Sequence, residues 1–179
     1  MATWCRFRAD GRENFGLVEG DTVIEADGAP FAGGRVNGAR RALNSVTLLP
    51  PVIPGVFYAA GPNYRDHIRR FNEKFGVNIK IPPQPEVGYR ANNALIGHGQ
   101  DIVKPADCGP NFEFEGELVA VIGKTARNMT EANALDCVLG YTLGNDVSER
   151  TWQKEDRTDR KSKRLNSSHT DISRMPSSA

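Results

Sequence analysis

The sequence predicts an α+β protein that is mainly β-structure. Short runs rich in Val, Ile, Phe, Tyr and Thr recur between turn signals along most of the 179-residue chain. Helical spacing of apolar residues is confined to a few segments, and the clearest of them begin near Asn63 and Thr130. Strand and helix patterns do not alternate regularly, which argues against a parallel sheet built from βαβ units.

Residues 1–50 are predicted to form a small N-terminal β domain. Its strand patterns are broken by acidic-Gly turn sequences at residues 10–11, 19–21 and 27–28. This spacing indicates an antiparallel meander. A weak helical pattern follows at residues 39–43, and three prolines within residues 48–54 mark a junction with the next domain.

Residues 51–158 are predicted to form a second domain. Its expected strands lie at residues 56–60, 102–103, 112–122 and 141–147, and its expected helices at residues 64–75 and 131–139. Asn63 and Thr130 are the expected N-caps of the helices, and Gly76 and Gly140 are their expected C-terminal stops. Residues 159–179 are polar, Ser-rich and without periodicity, so we expect this tail to be disordered.

Composition and charge exclude several classes of protein. The net charge of +1 gives no basic footprint for nucleic acid or for an anionic membrane. No apolar run approaches the roughly 18 residues of a membrane span, and the N-terminus lacks the apolar core of a signal peptide. The 3 cysteines include no CxxC pair, which is typical of a cytoplasmic protein without disulfides.

An acidic strand carries the strongest chemical signal. Glu113, Glu115 and Glu117 alternate with other residues before a β-rich run that ends at Gly123. On a continuous strand they would share one face, with neighbours about 7 Å apart, and could converge on one cation. The alternative is an edge strand whose acidic face is simply solvated.

Three motifs occur together in the order and spacing of one enzyme family. They are GPNYRDH at residues 61–67, FEGELVAVIGK at residues 114–124 and GYTLGNDVSER at residues 140–150. With these motifs the chain resembles the fumarylacetoacetate hydrolase family from about residue 56 to residue 157. The resemblance implies that the second domain is part of the family's mixed β-roll, and that the full-length form is a homodimer.

The resemblance also implies a metal site. Glu115, Glu117 and Asp146 match the family's three carboxylate ligands of a divalent cation, which is Mg²⁺ or, in some members, Ca²⁺ or Mn²⁺. Oxygen ligands suit these hard cations, and three clustered carboxylates would repel one another without a cation. Taken by itself, Asp146 also suits a plain turn after Asn145.

Further roles follow from the same resemblance. His67 matches the family's general base, and Tyr64, Arg150 and Gln153 match positions that face the substrate. Taken singly, His67 would be an ordinary half-buried histidine on the face of Phe71, and Arg150 and Gln153 would be solvated loop residues.

The sequence departs from the family in two places. Many short members carry a glutamate three residues after the histidine, where this chain has Arg70. Residues 89–92 (YRAN) stand where relatives often have Phe-x-Lys-Pro. The first departure concerns the water-activating step, so isomerisation and decarboxylation stand beside hydrolysis as expected reactions. The second alters the wall that faces the substrate.

The function implied is that of a metal-dependent enzyme. Its substrate would be a small 2-oxo or 1,3-dicarbonyl acid that reacts through an enolate. The alternative is a catalytically inactive fragment that at most binds a dication or a partner. Family members continue beyond Arg157, and the abrupt change near Asp159 leads us to expect that residues 159–179 are not native sequence.

Overall fold

The structure, a computed structural model, describes residues 2–155, 170–172 and 175–177. Its strands are β1 Ala2–Ala9, β2 Arg12–Glu19, β3 Thr22–Ala26, β4 Val36–Ala42, β5 Thr47–Leu49, β6 Phe57–Ala60, β7 Val87–Arg90, β8 Leu95–Gly97, β9 Phe112–Glu113, β10 Gly116–Ile122, β11 Val138–Asn145, β12 Ser148–Glu149, β13 Thr170–Ile172 and β14 Met175–Ser177. Its α-helices are α1 Arg65–Phe75 and α2 Arg150–Glu155. The α+β, mainly β prediction is therefore confirmed.

The N-terminal strands form the antiparallel meander that the turn signals predict. Strands β1 to β4 pair in chain order, and β5 adds to β1. Asp10 and Gly11, which join β1 to β2, both have positive φ, as a two-residue type I′ hairpin turn requires. The centre of the apolar core is formed by Cys5, Phe7 and Val23, all buried between these strands and the segments packed on them.

The weak helix prediction for residues 39–43 is wrong, because these residues belong mainly to β4. Thr22 pairs with Ala42 and Val23 with Arg41, so the chain returns along β3 as a further strand. Hydrogen bonds to a formed neighbour outweigh a short local preference for helix, which is marginal without packing.

Residues 131–139 do not form the expected α-helix. A 3₁₀ helix covers Ala134–Cys137, and β11 begins at Val138 because Val138 and Gly140 pair with β10. Asn133 accepts hydrogen bonds from the Thr130 backbone N–H at 2.7 Å and the Thr130 hydroxyl at 3.0 Å, which closes a turn instead of capping a helix. The strand expected at residues 102–103 is also wrong, since these residues have no regular secondary structure.

Two segments of the tail are strands. Strand β13 pairs with β8, and β14 pairs with β1 and with Gly140 of β11, so the prediction of disorder is wrong for these residues. Sheet edges offer backbone N–H and C=O groups that a polar segment can pair with, whatever its apolar content. The remainder of residues 159–179 lies outside the described residues.

Strands β10 and β11 form a hairpin at one end of the main sheet, and the acidic residues lie where β10 begins and β11 ends. Strand β9, just before β10, pairs with β12, and α2 directly follows β12. Helix α1 ends at Gly76, which adopts φ +62° as the C-terminal glycine signal predicts. No helix in the described part of the chain is both long and apolar enough to cross a bilayer.

Candidate metal centre

The register of β10 and β11 brings two of the acidic residues together. Gly116 lies opposite Asn145, so the preceding Glu115 lies opposite the following Asp146. The backbone N–H of Asp146 donates to the carbonyl oxygen of Glu115 at 2.9 Å. The side-chain oxygen of Asn145 accepts from the Glu115 N–H at 3.1 Å. These bonds fix the backbone from which both carboxylates project.

Glu115, Glu117 and Asp146 form one cluster. Each offers a carboxylate oxygen, and these oxygens lie within 4.8 Å of one another. Asp146 is buried, whereas the two glutamates are partly exposed. The structure thus brings together the three residues that the resemblance assigns to a metal, from β10, from the link before β10 and from the residue that directly follows β11.

The acidic strand is not continuous, and Glu113 lies outside the carboxylate cluster. Residues 114–115 interrupt it between β9 and β10, and Phe114 is 81% exposed. The Glu113 carboxylate accepts from Arg150 Nε at 2.8 Å instead of joining the cluster. The expectation that all three glutamates share one face of a single strand is therefore wrong at the break.

Arg90, at the end of β7, contacts both oxygens of Asp146. Its Nε lies 3.2 Å from Oδ1 and 3.1 Å from Oδ2, and its Nη2 also donates to Oδ2. The two side chains are 2% and 5% exposed. Buried charges persist when they are paired and hydrogen-bonded, so this ion pair belongs to the folded structure of the cluster.

Arg150, the first residue of α2, borders the other side of the cluster. It forms ion pairs with Glu113 and Glu115, and its Nη1 donates to the side-chain oxygen of Gln153 at 3.0 Å. Partial burial lowers the pKa of Arg150, but the two glutamates outweigh it and the pKa is raised. Arg150 and Gln153 therefore lie beside the acidic cluster, and their contact with a substrate, which the resemblance implies, stays a prediction.

Glu149 is a buried acid that closes the start of α2. Its Oε2 accepts from the backbone N–H of Trp152 at 2.6 Å, while its Oε1 packs against Gly109 without a hydrogen-bond partner in the described part of the chain. Burial raises the pKa of this carboxyl group, but the N–H groups of Trp152 and Thr151 outweigh burial and the pKa falls below its ordinary value of 4.5.

The remaining predicted residues lie on or before α1. Tyr64 is the N-cap of the helix and is 65% exposed, and His67 is exposed in the first turn. Ile68 is the buried residue of this helix. His67 is not part of the carboxylate cluster, so the catalytic role of His67 and the substrate contact of Tyr64 stay predictions.

The donor set fits a hard divalent cation. Two oxygens bound to one Mg²⁺ lie at most about 4.2 Å apart, and two bound to one Ca²⁺ about 5.2 Å apart. Separations of up to 4.8 Å therefore span a larger cation as they stand and need a small contraction for Mg²⁺. Three carboxylates and no nitrogen or sulfur ligand match the preference of Mg²⁺, Ca²⁺ and Mn²⁺ for oxygen.

Sequence reasoning missed the roles of Arg90 and Glu149. Arg90 lies 56 residues before its partner, and no local pattern links the two. The signal available was the departure at residues 89–92, a stretch that contains Arg90. Glu149 falls within a matched motif, but its burial depends on how β12 pairs with β9.

Two known protein families together match most of the chain. Residues 56–172 match the family described as fumarylacetoacetate (FAA) hydrolase C-terminal, and residues 3–51 match the family described as Rv2993c-like, N-terminal. The first match covers more than half of the 179 residues.

Individual relatives agree with this assignment. A fumarylacetoacetate hydrolase domain-containing protein 2 homolog from Dictyostelium discoideum is 39% identical over 118 residues, 66% of this chain and 36% of that protein. The 4-hydroxyphenylacetate degradation bifunctional isomerase/decarboxylase from Escherichia coli is 40% identical over 105 residues, 57% of this chain and 23% of that protein. The chain spans about half the length, or less, of the curated relatives it matches.

A solved structure shares the fold. The 2-hydroxyhepta-2,4-diene-1,7-dioate isomerase from Mycobacterium marinum superposes with a TM-score of 0.81 at 26% identity. The match covers 100% of this chain and 67% of that one. From its motifs, its matched sequence and its fold, this chain belongs to the fumarylacetoacetate hydrolase family.

Proposed function

We propose that this protein is a divalent-metal-dependent enzyme that acts on a small 2-oxo or 1,3-dicarbonyl carboxylic acid through an enolate. The reaction is C–C bond hydrolysis, decarboxylation or enol–keto isomerisation. The convergence of Glu115, Glu117 and Asp146 carries the proposal, because a family member with three clustered carboxylates has the ligands for such a cation. Mg²⁺ is the proposed ion, with Mn²⁺ and Ca²⁺ as alternatives.

The proposed chemistry assigns separate tasks to the metal and the side chains. When bound, the cation would polarise the substrate's carbonyl oxygen and stabilise the negative charge that develops there. Glu115, Glu117 and Asp146 would hold it. Arg150 is aimed by its contacts with the Glu113 and Gln153 side chains, and its planar guanidinium suits a substrate carboxylate.

His67 is the proposed proton carrier of this site. Its support is the motif at residues 61–67 and its place in the first turn of a helix that follows a short strand. Arg70 replaces the glutamate with which many short relatives would orient the ring or activate water. Isomerisation and decarboxylation are therefore proposed on an equal footing with hydrolysis, in line with the names of the Escherichia coli and Mycobacterium marinum relatives.

A second candidate is a non-catalytic protein. One structural feature favours it: Arg90 pairs with Asp146 and Arg150 pairs with Glu115, so cationic side chains of the protein already balance negative charge in the cluster. Under this alternative the cluster is a structural ion-pair network. The two candidates differ in their response to metal, because a specific ligand of the native state raises stability by about 2.7 kcal/mol at 100 times its Kd.

The test uses the purified full chain with Mg²⁺ or Mn²⁺. Oxaloacetate, acetylpyruvate and 2-hydroxyhepta-2,4-diene-1,7-dioate represent decarboxylation, hydrolysis and isomerisation. We expect turnover of at least one compound. Glu117→Gln should reduce kcat/KM at least about 100-fold and weaken Mn²⁺ binding in parallel, since the ion's charge stabilisation is lost with it.

Two further variants separate the roles. His67→Asn should reduce kcat while Mn²⁺ binding is kept, which a metal ligand could not do. Glu131→Gln, which removes an exposed acid outside the cluster, is the matched control and should change neither. Activity that survives Glu117→Gln unchanged rejects the metal assignment, and a thermal midpoint unmoved by either metal favours the non-catalytic candidate.

A further inference from the structure

We propose that Arg90 is a built-in counter-ion of Asp146 that competes with the divalent cation for this carboxylate and so weakens metal binding. The inference rests on the proposed function, because it concerns the same three carboxylates. It adds a residue that sets the metal concentration at which the site is occupied.

The geometry leaves Asp146 little capacity for a further ligand. An ionised carboxylate has about four acceptor positions on its two oxygens. Arg90 Nε lies within hydrogen-bond distance of both oxygens, and its Nη2 donates to Oδ2 as well. Three of these positions are therefore directed at one guanidinium, and a cation must share or displace that contact.

Burial makes the competition strong. The Arg90 and Asp146 side chains are 2% and 5% exposed, so solvent screens their interaction weakly. The guanidinium of Arg90 places a positive charge beside any cation that reaches Asp146. Its position is also fixed, because Nη1 donates to the Tyr89 carbonyl oxygen at 3.3 Å.

Arg150 offers an instructive contrast within the same cluster. It pairs with Glu115, but its side chain is 25% exposed and is shared with Glu113. A cation binding at Glu115 can turn Arg150 toward solvent or toward Glu113 at low cost. The Arg90 side chain is buried and cannot turn toward solvent in this way, so Arg90 is the guanidinium that opposes cation binding.

Calorimetric titration of the full chain with Mn²⁺ alone tests the proposal. Arg90→Met keeps a similar length and removes the charge, and we expect its Kd for Mn²⁺ to be at least about tenfold lower than that of the wild type. Arg90→Lys keeps the charge but loses the two-pronged contact, so its Kd should lie between these values. Arg40→Met removes an exposed, ion-paired guanidinium of the N-terminal sheet and should leave the Kd unchanged.

The measurement has a second readout in case Arg90→Met folds poorly without metal. The rise of the thermal midpoint caused by saturating Mn²⁺ should then be larger in Arg90→Met than in the wild type. Equal Mn²⁺ affinity in the wild type and both Arg90 variants overturns the inference and leaves the proposed function standing.

Weaker binding in both Arg90 variants also overturns the inference, because Arg90 would then orient Asp146 for the ion. Absence of Mn²⁺ binding in the wild type and in every Arg90 variant rejects the inference and the proposed metal site together.

Discussion

The N-terminal sheet and the candidate metal centre use the same charged residue types in opposite ways. In the sheet, Arg40 pairs with Glu19 across strands at the surface, with both side chains more than half exposed, while an apolar cluster around Phe7 forms the core. In the centre, Arg90 and Asp146 are buried. The Arg40–Glu19 pair therefore lies on the surface of a sheet with an apolar core, whereas Arg90 and Asp146 are buried and depend on each other for charge balance.

The largest effect is expected from a substitution that breaks the buried Arg90–Asp146 pair. Asp146→Ala leaves Arg90 buried without its partner, and the free energy of unfolding without metal should fall by about 3 to 5 kcal/mol. Urea denaturation followed by circular dichroism measures it. Combining Asp146→Ala with Arg90→Met should restore part of the loss, because no unpaired buried charge remains. If Asp146→Ala lowers the free energy of unfolding by less than about 1 kcal/mol, the pair behaves like a solvent-exposed ion pair and its burial is contradicted.

The next effect tests the packing of the N-terminal sheet. A Cβ at Gly16 would lie 2.6 Å from Val23 Cγ1 and 2.7 Å from the Ile24 carbonyl oxygen, and the backbone atom cannot move aside cheaply. Gly16→Ala should lower the free energy of unfolding by about 1 to 3 kcal/mol. Gly55→Ala, where nothing lies within 4 Å, is the matched control. A stabilising Gly16→Ala would contradict the close packing of β2 on β3.

A smaller effect at neutral pH concerns Glu149. Since hydrogen bonds lower its folded pKa below 4.5, the unfolded state binds the proton more readily. The stability that this carboxylate contributes is therefore present above about pH 4.5 and is lost as the pH falls through the folded pKa. Glu149→Gln should be less stable than the wild type at pH 7, and the difference should shrink toward pH 3 in urea titrations. If the stability difference between the wild type and Glu149→Gln grows as the pH falls, the pKa of Glu149 is raised and not lowered by folding. Glu131→Gln serves as the control.

The meander could be predicted because its turn signals are local, and the acidic cluster could be predicted because the resemblance to the family names its members. Asp10-Gly11 requires positive φ at two successive positions, which a hairpin turn supplies. The resemblance to the family predicted that Glu115, Glu117 and Asp146 lie together, and the structure brings their carboxylates within 4.8 Å of one another. Their binding of a metal stays a prediction.

The failures share a different cause, which is pairing between distant segments. Residues 39–42 and 138–140 are strands because β3 and β10 are available as neighbours. Arg90 ends β7 and Asp146 directly follows β11, and these two strands belong to separate sheets, so no residue near Arg90 in the sequence indicates its partner. A buried charge must be paired, but the sequence does not say with which residue.

The smallest expected effect completes the contrast between the two regions. Arg40→Gln removes an ion pair whose side chains are 58% and 52% exposed, and the free energy of unfolding should change by less than about 1 kcal/mol. The change should shrink further between 0.05 and 0.5 M NaCl, since salt screens exposed pairs over about 10 Å or less. Chemical denaturation at both salt concentrations measures it, with Glu19→Gln as the reciprocal variant. A loss as large as that of Asp146→Ala would mean that the sheet also depends on its charges, because exposure would then no longer separate the two regions.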